Sequence, residues 1–372
     1  MASSPAAPDR PCVGVESFGT LQDGQPVDLF VLTTRDGVEV RITNYGGIVV
    51  GLRTPDRYGN FDDIVLGFDR LEDYVRDRTY MGALIGRYAN RVAGARLALG
   101  GEEFSLEKND GEHHLHGGAE GFHKVLWRAA PVLGDGVSGV RLVHHSNDGE
   151  AGYPGNLLVT VTYLLSADGE LTVDYSALSD RDTVVNCTQH SYFNLDGIGG
   201  RDILDHVLVL RAHRFTPTSA DLIPTGEIRN VAGTAFDFTR PRRIGSRIDE
   251  HDEQLIAAAG YDHNYVLDGP VGLLRAVARA SSPASGRVVE IATTEPGLQF
   301  YTGNALRPQG SGKSGSPYTR RSGFCLEPQH FPDSPNRPHF PSSLLRKGER
   351  FRSTSAYRFS TLDESSELRP GW

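Results

Sequence analysis

Asn156-Leu-Leu-Val-Thr-Val-Thr-Tyr-Leu-Leu-Ser166 and, past a glycine-containing turn, Glu170-Leu-Thr-Val-Asp-Tyr-Ser-Ala-Leu178 decide the fold class. Both runs are rich in β-branched and aromatic residues and alternate apolar with polar side chains, the period of a strand. Val159 to Leu165 adds a longer apolar run, which predicts a strand buried on both faces of a stacked assembly. Similar runs recur on either side. Upstream are Asp28 to Thr34, Val38 to Asn44, Ile48 to Thr54, Asp63 to Phe68 and Val140 to His145. Downstream are Thr183 to Asn194, His206 to Thr216, Tyr261 to Leu267 and Leu273 to Ala280. Arg287 to Thr293, Leu298 to Thr302, Gly323 to Gln329 and Phe351 to Thr361 complete the series. Gly, Asn or Pro-Asp turns separate them.

Helical signals are short. Arg70 to Val75 and Ile248 to Ala258 are the best of them, and neither sustains an amphipathic stripe. Strands therefore do not alternate with helices, which argues against a parallel βαβ sheet. The 43 glycines and 21 prolines, about one residue in six, suit many turns between short strands. The expectation is an all-β protein, a large antiparallel β-sandwich with few short helices. Residues 14–365 would form a single domain, 1–13 a disordered lead-in and 366–372 a C-terminal tail. Gln309 to Ser322, rich in Gly, Ser and basic residues, should be the least ordered internal stretch.

Several classes are excluded at once. No run approaches the roughly 18 apolar residues of a membrane helix. A net charge of -9 argues against a nucleic-acid partner, whose phosphates call for cations. Cys12, Cys187 and Cys325 are too few, and odd in number, for a disulfide framework. The N-terminal Met-Ala-Ser-Ser-Pro-Ala-Ala-Pro lacks the apolar core of a signal peptide, so the chain reads as cytoplasmic; a secreted chain that had lost its leader would read the same.

Two motifs lead nowhere. Gly312-Lys313-Ser314 resembles the end of a phosphate-binding loop, yet Arg307 stands where its first glycine belongs, so it reads as a flexible, solvated loop. His114 and His116 would share one strand face, and Glu120 extends them toward a His-x-His-x3-Glu metal pattern. Trp127 replaces the closing glycine of that pattern and its second half has no match, so no metal is expected. Cys187 and Cys325, close in sequence to the candidate groups below, read as small buried residues beneath a site.

The chemistry lies in polar clusters inside strand-like segments, where an unpaired polar group is costly. Gly86-Arg87-Tyr88-Ala89-Asn90-Arg91 sets two guanidiniums beside an amide. His114-Leu115-His116-Gly117-Gly118 sets imidazoles beside an approachable backbone. Asn186, Thr188, His190 and Tyr192 alternate onto one face, as do Gln299 and Tyr301. Asp262 and Glu327 bring carboxylates into strands. Such donors and acceptors, fringed by Tyr, Phe and Trp, suit a sugar ring, whose hydroxyls want polar partners and whose C–H faces want aromatic ones.

Taken in order, these clusters resemble the aldose 1-epimerase (galactose mutarotase) family. The resemblance is carried by Asn44 to Asp56, Gly86 to Arg91, Leu115 to Gly118, Asn186 to Leu195, Asp262 to Asn264, Gln299 to Asn304 and Cys325 to Gln329. It spans about Val15 to Thr361. It implies a galactose mutarotase-like β-supersandwich that interconverts the α and β anomers of free aldohexoses such as galactose and glucose, with no cofactor. It also implies Glu327 as general base, His190 as general acid, and Asn90, Arg91, His116, Asp262 and Gln299 as sugar-binding residues. His116 would polarise the ring oxygen alongside His190. His114 falls outside the motif, and Arg87 reads as a supporting neighbour. A carboxylate such as Asp262 could favour a protonated His190. The partner would be a small free sugar, acted on by a monomer or homodimer. Rival readings are a glycoside hydrolase using Asp262 and Glu327, a hexose-phosphate epimerase using Arg87 and Arg91, and a non-catalytic sugar-binding module, which would lack Glu327 or His190.

Overall fold

The computed structural model describes residues 11–307, 312–315 and 317–362. Among these, Leu71–Arg76 and Glu253–Ala258 are the only α-helices, and three antiparallel sheets carry most strands. The largest has nine, in the order Arg128–Gly134, Val137–Ser146, Leu157–Ser166, Glu170–Ser179, Arg350–Thr361, Arg287–Thr293, Arg275–Ser281, Val207–Leu210 and Arg242–Arg243. The N-terminal sheet takes five consecutive strands, Cys12–Thr20, Pro26–Thr33, Glu39–Thr43, Val49–Pro55 and Phe61–Asp63. A second five-stranded sheet runs Arg229–Asn230, Arg214–Thr216, Asp262–Val266, Gly297–Tyr301 and Cys325–Gln329.

Strands Leu157–Ser166 and Glu170–Ser179 form a hairpin inside the nine-stranded sheet. Their register pairs Val159 with Ala177, Val161 with Tyr175 and Tyr163 with Val173, all buried. These side chains join Phe30, Leu32, Val40 and Ile42 of the N-terminal sheet and Phe215, Leu298 and Phe300 of the second five-stranded sheet in one continuous core. Burying each such side chain contributes on the order of 1.5–3 kcal/mol. The opposite face is not a second core: Thr160, Thr162 and Leu164 are half-buried and Leu158 is exposed, which corrects the expectation of burial on both faces.

Two long predicted strands are broken, each for a topological reason. Within Thr183 to Asn194, Thr183–Val184 pairs with Leu344–Leu345, and Thr188–His190 pairs with Ala83–Ile85. Within His206 to Thr216 the chain changes sheets, from Val207–Leu210 in the nine-stranded sheet to Arg214–Thr216 in the second five-stranded one. The helix expected over Ile248 to Ala258 forms only from Glu253, because Asp252 caps it by accepting from the Gln254 and Leu255 amides.

The first strand starts at Cys12, inside the expected lead-in; residues 1–10 and the tail 366–372 lie outside the described residues. Of the stretch expected to be least ordered, residues 309–311 and 316 also lie outside them. Within the rest, Lys313 is anchored. Lys313 is 5% exposed, and its ammonium donates to Asp63 Oδ2 at 2.7 Å and to the Val65 carbonyl at 2.8 Å. It is a buried ion-pair partner, not part of a solvated loop.

Candidate active site

Strand register assembles the site. Across Asp262–Val266, Gly297–Tyr301 and Cys325–Gln329, one row reads Asp262, Tyr301, Cys325 and the next reads Asn264, Gln299, Glu327. Directly opposed residues share a face, as do residues two apart on one strand, so all six point the same way. The intervening His263, Leu298, Phe300 and Leu326 point into the core. There Phe300 stacks on Tyr261 at 5.2 Å, and His263 meets Phe236 edge-on at 4.6 Å. The core pins the sheet, and the sheet aims the polar face.

His190 reaches that face from Thr188–His190, the short strand running beside Cys325–Gln329. Its Nε2 lies 3.7 Å from Glu327 Oε1, and its Nδ1 lies 3.6 Å from Cys325 Sγ. His116 and Asn90 sit in turns with left-handed backbones, and the Asn90 N–H donates to His116 Nδ1 at 3.1 Å. That bond leaves the ring proton of a neutral His116 on Nε2. Arg91 follows; its Nε donates to Asp110 Oδ2 at 2.8 Å. Gln299 Nε2 donates to Asp262 Oδ1 at 2.7 Å. Gly117, next to His116, has φ 86°, and a Cβ there would overlap the Gly86 carbonyl. The glycine serves a close approach between two chain segments, not an approach to ligand.

Asn90, Arg91, His116, His190, Asp262, Gln299 and Glu327 all line one cavity of about 390 Å³. Tyr80, Tyr192 and Tyr301 also stand in its wall, with Arg78, Arg307, Leu222 and Ala257 to Ala259. Tyr80 packs edge-on against His116 at 4.5 Å and lies 6.0 Å from His190. It is missed by sequence reasoning because it sits in a turn, φ 58°, with no period to mark it. The aromatic fringe is tyrosine; Trp127 is buried elsewhere, on Phe122.

The histidine pair His114 and His116 does not form a cluster. The strand ends at Leu115, and His114 turns into the interior, where its Nδ1 meets the Glu107 carbonyl and its Nε2 the Tyr153 hydroxyl. Glu120 is exposed. Arg87 is likewise interior, its guanidinium donating to the Pro154, Gly155, Ser146 and Asn147 carbonyls. Asn186 ties the Ala89 carbonyl to the backbone of His330 and does not line the cavity.

Burial governs the charges. Glu327 is 2% exposed, and desolvation, reinforced by the Asp262 carboxylate, holds its carboxyl well above the usual range. Desolvation pushes His190 down to about 4, so Asp262 does not favour a protonated imidazole as expected. Desolvation also pushes the Asp262 carboxyl up, against the pull of Arg91. His116 is held well below the ordinary histidine value by burial and then by His190. Glu327 and His190 thus both lean neutral, sharing one proton. Glu327 Oε2 and Gln299 Oε1 are buried acceptors without a protein donor. Acceptors left in this way on a cavity floor match a ligand rich in hydroxyl donors.

The sequence profile described as aldose 1-epimerase matches residues 28–358. A galactose mutarotase from Bos taurus is 46% identical over 344 residues, covering 92% of this chain and 97% of the relative. An aldose 1-epimerase from Escherichia coli (strain K12) is 36% identical over 339 residues, covering 91% and 96%. Among solved structures, a galactose 1-epimerase from Lactobacillus acidophilus NCFM superposes with a TM-score of 0.83 at 27% identity, covering 94% of this chain and 99% of that one. A GalM/aldose epimerase homologue from C. elegans gives 0.82 at 27% identity, covering 90% and 99%. With a profile match over most of its length, and relatives of this identity nearly as long as itself, the chain belongs to the aldose 1-epimerase family.

Proposed function

We propose that the protein is a mutarotase interconverting the α and β anomers of free aldohexoses such as galactose and glucose, with Glu327 and His190 as its acid–base pair. The observation that carries this reading is a carboxyl and an imidazole 3.7 Å apart on the floor of a cavity rimmed by tyrosines and hydroxyl-matching groups. Mutarotation requires a proton to leave the anomeric C1 hydroxyl and another to reach the ring oxygen. The ring opens to the aldehyde, C1 turns about the C1–C2 bond, and closure occurs on the other carbonyl face.

Ionised Glu327 takes the C1 hydroxyl proton while protonated His190 gives its own to the ring oxygen; closure reverses both. Each positioned group typically contributes about 10²–10⁴-fold. Carboxylate with imidazolium and carboxylic acid with imidazole hold the same single proton, so the reactive form differs from the buried neutral pair only in where that proton sits. The neutral form is also the one left when the sugar is open. A neutral His116 offers its Nε2–H to a sugar oxygen, Asp262 and Gln299 receive hydroxyls as a coupled pair, and Asn90 and Arg91 close the far side.

Polarimetry of freshly dissolved α-galactose and α-glucose tests the proposal. The protein should speed the approach to equilibrium rotation with no bond cleaved. No acceleration on galactose, glucose, xylose or arabinose would overturn it. Release of reducing sugar from glycosides, or activity confined to hexose 6-phosphates, would shift the reading to one of the rival enzymes.

A further inference from the structure

Cys325 plays no part in the acid–base scheme, yet its sulfur lies 3.6 Å from the nitrogen of His190 that faces away from Glu327. One ligand atom from each of Cys325, His190 and Glu327 lies within 4.8 Å of those of the other two, and all three residues are buried. Ligands around a zinc ion sit roughly 2.0–2.3 Å from it, so two of them lie at most about 4.6 Å apart, close to the spread of this trio. The second carboxyl oxygen of Glu327 is buried without a protein partner, so it can take up a metal ion as well as a sugar hydroxyl. We infer that Cys325, His190 and Glu327 form an inhibitory site for a thiophilic divalent cation such as Zn²⁺, which competes with the sugar for the cavity. The consequence for catalysis rests on the function proposed above; the site itself does not.

The donor set decides the class of ion. A thiolate, an imidazole and a carboxylate suit Zn²⁺ and Co²⁺, whereas Mg²⁺ and Ca²⁺ demand more oxygens. On binding, the Cys325 thiol loses its proton to solvent and so does the Glu327–His190 pair, leaving thiolate, carboxylate and neutral imidazole as the ligands. The two anionic ligands balance the 2+ charge, which makes the assembly tolerable in a desolvated site where a lone charge would not be. Asp262 adds negative charge beside it and Arg91 positive charge, as their opposed influence on Glu327 shows. His190 and Glu327 both line the cavity where the sugar would lie, so an ion held by them competes with it.

Co²⁺ titration of the full chain tests this without reference to turnover. A sulfur-to-cobalt charge-transfer band should appear in the near ultraviolet, vanish when Zn²⁺ displaces Co²⁺, and diminish in saturating galactose. Mg²⁺ should neither produce nor displace it. Cys325→Ser should abolish the band and, measured against its own metal-free rate, lose at least about tenfold in sensitivity to Zn²⁺, since even outer-shell losses cost about 10–100-fold in metal affinity. A folded wild-type protein without the band, or a band indifferent to both Cys325→Ser and galactose, would overturn the site. Should the variant fail to fold, the galactose competition on the wild-type protein decides alone. A band in a protein with no mutarotase activity would uphold the metal site and sink the catalytic reading.

Discussion

Glu327 and His190 share one proton, and the pH dependence of turnover should report that sharing. Below about 4, where burial sets the His190 value, the imidazole takes up a second proton and the pair carries two. Above the raised Glu327 value the carboxyl gives up its proton and the pair carries none. Both extremes are unreactive, so kcat/KM of the free enzyme should be bell-shaped, with its acid limb near 4 and its alkaline limb belonging to Glu327. In Glu327→Gln whatever activity persists needs protonated His190 alone, so the alkaline limb should move down to the His190 titration; an unmoved limb would assign it elsewhere. The same variant, and His190→Asn, should lower kcat by about 10²–10⁴ with KM little changed. A rise in KM alone would reduce either residue to a binding role.

The site sheet shows what an element adds to its residues. Glu327 and Asp262 were readable in the sequence because each interrupts an apolar alternation, and alternation alone puts them on the face away from Phe300 and Leu326. His190 was readable for the same reason, although its predicted strand proved to be two short ones with different partners. Tyr80 and Lys313 were not readable. The first lies in a turn without period, and the second takes its meaning from Asp63, 250 positions away in the chain. Lys313→Ala should therefore cost about 3 kcal/mol, the low end of the usual loss when a buried pair is broken, because Asp63 keeps the Leu52 and Val65 amides. The urea midpoint measures this, and a change near zero would return the loop to the surface role first expected of it.

At the scale of the whole molecule, charge buried as neutral histidine sets the acid limit. Desolvation lowers His114, His116, His123, His190, His206 and His263, with His123 and His263 near 3 and His206 near 4. Below the ordinary value of about 6.5 the unfolded chain binds protons that these folded sites refuse, so stability falls with falling pH by up to about 1.4 kcal/mol per pH unit for each. The raised carboxyls of Glu327 and Asp262 and the His330 imidazole, raised by Glu295, act in the opposite sense, gaining stability as pH drops through their folded values, but they are three against six. Melting temperatures should decline steadily between about pH 6.5 and 4; a flat profile would mean that the histidines are hydrated.

The cavity draws its walls from chain positions as far apart as Arg78 and Glu327, brought together by strands that share a single core. No fragment holds a working subset of them. Polarimetric activity and far-ultraviolet ellipticity should then vanish along one denaturation curve, which makes this catalyst a gauge of its own cooperativity: a partly unfolded molecule would already be a silent one.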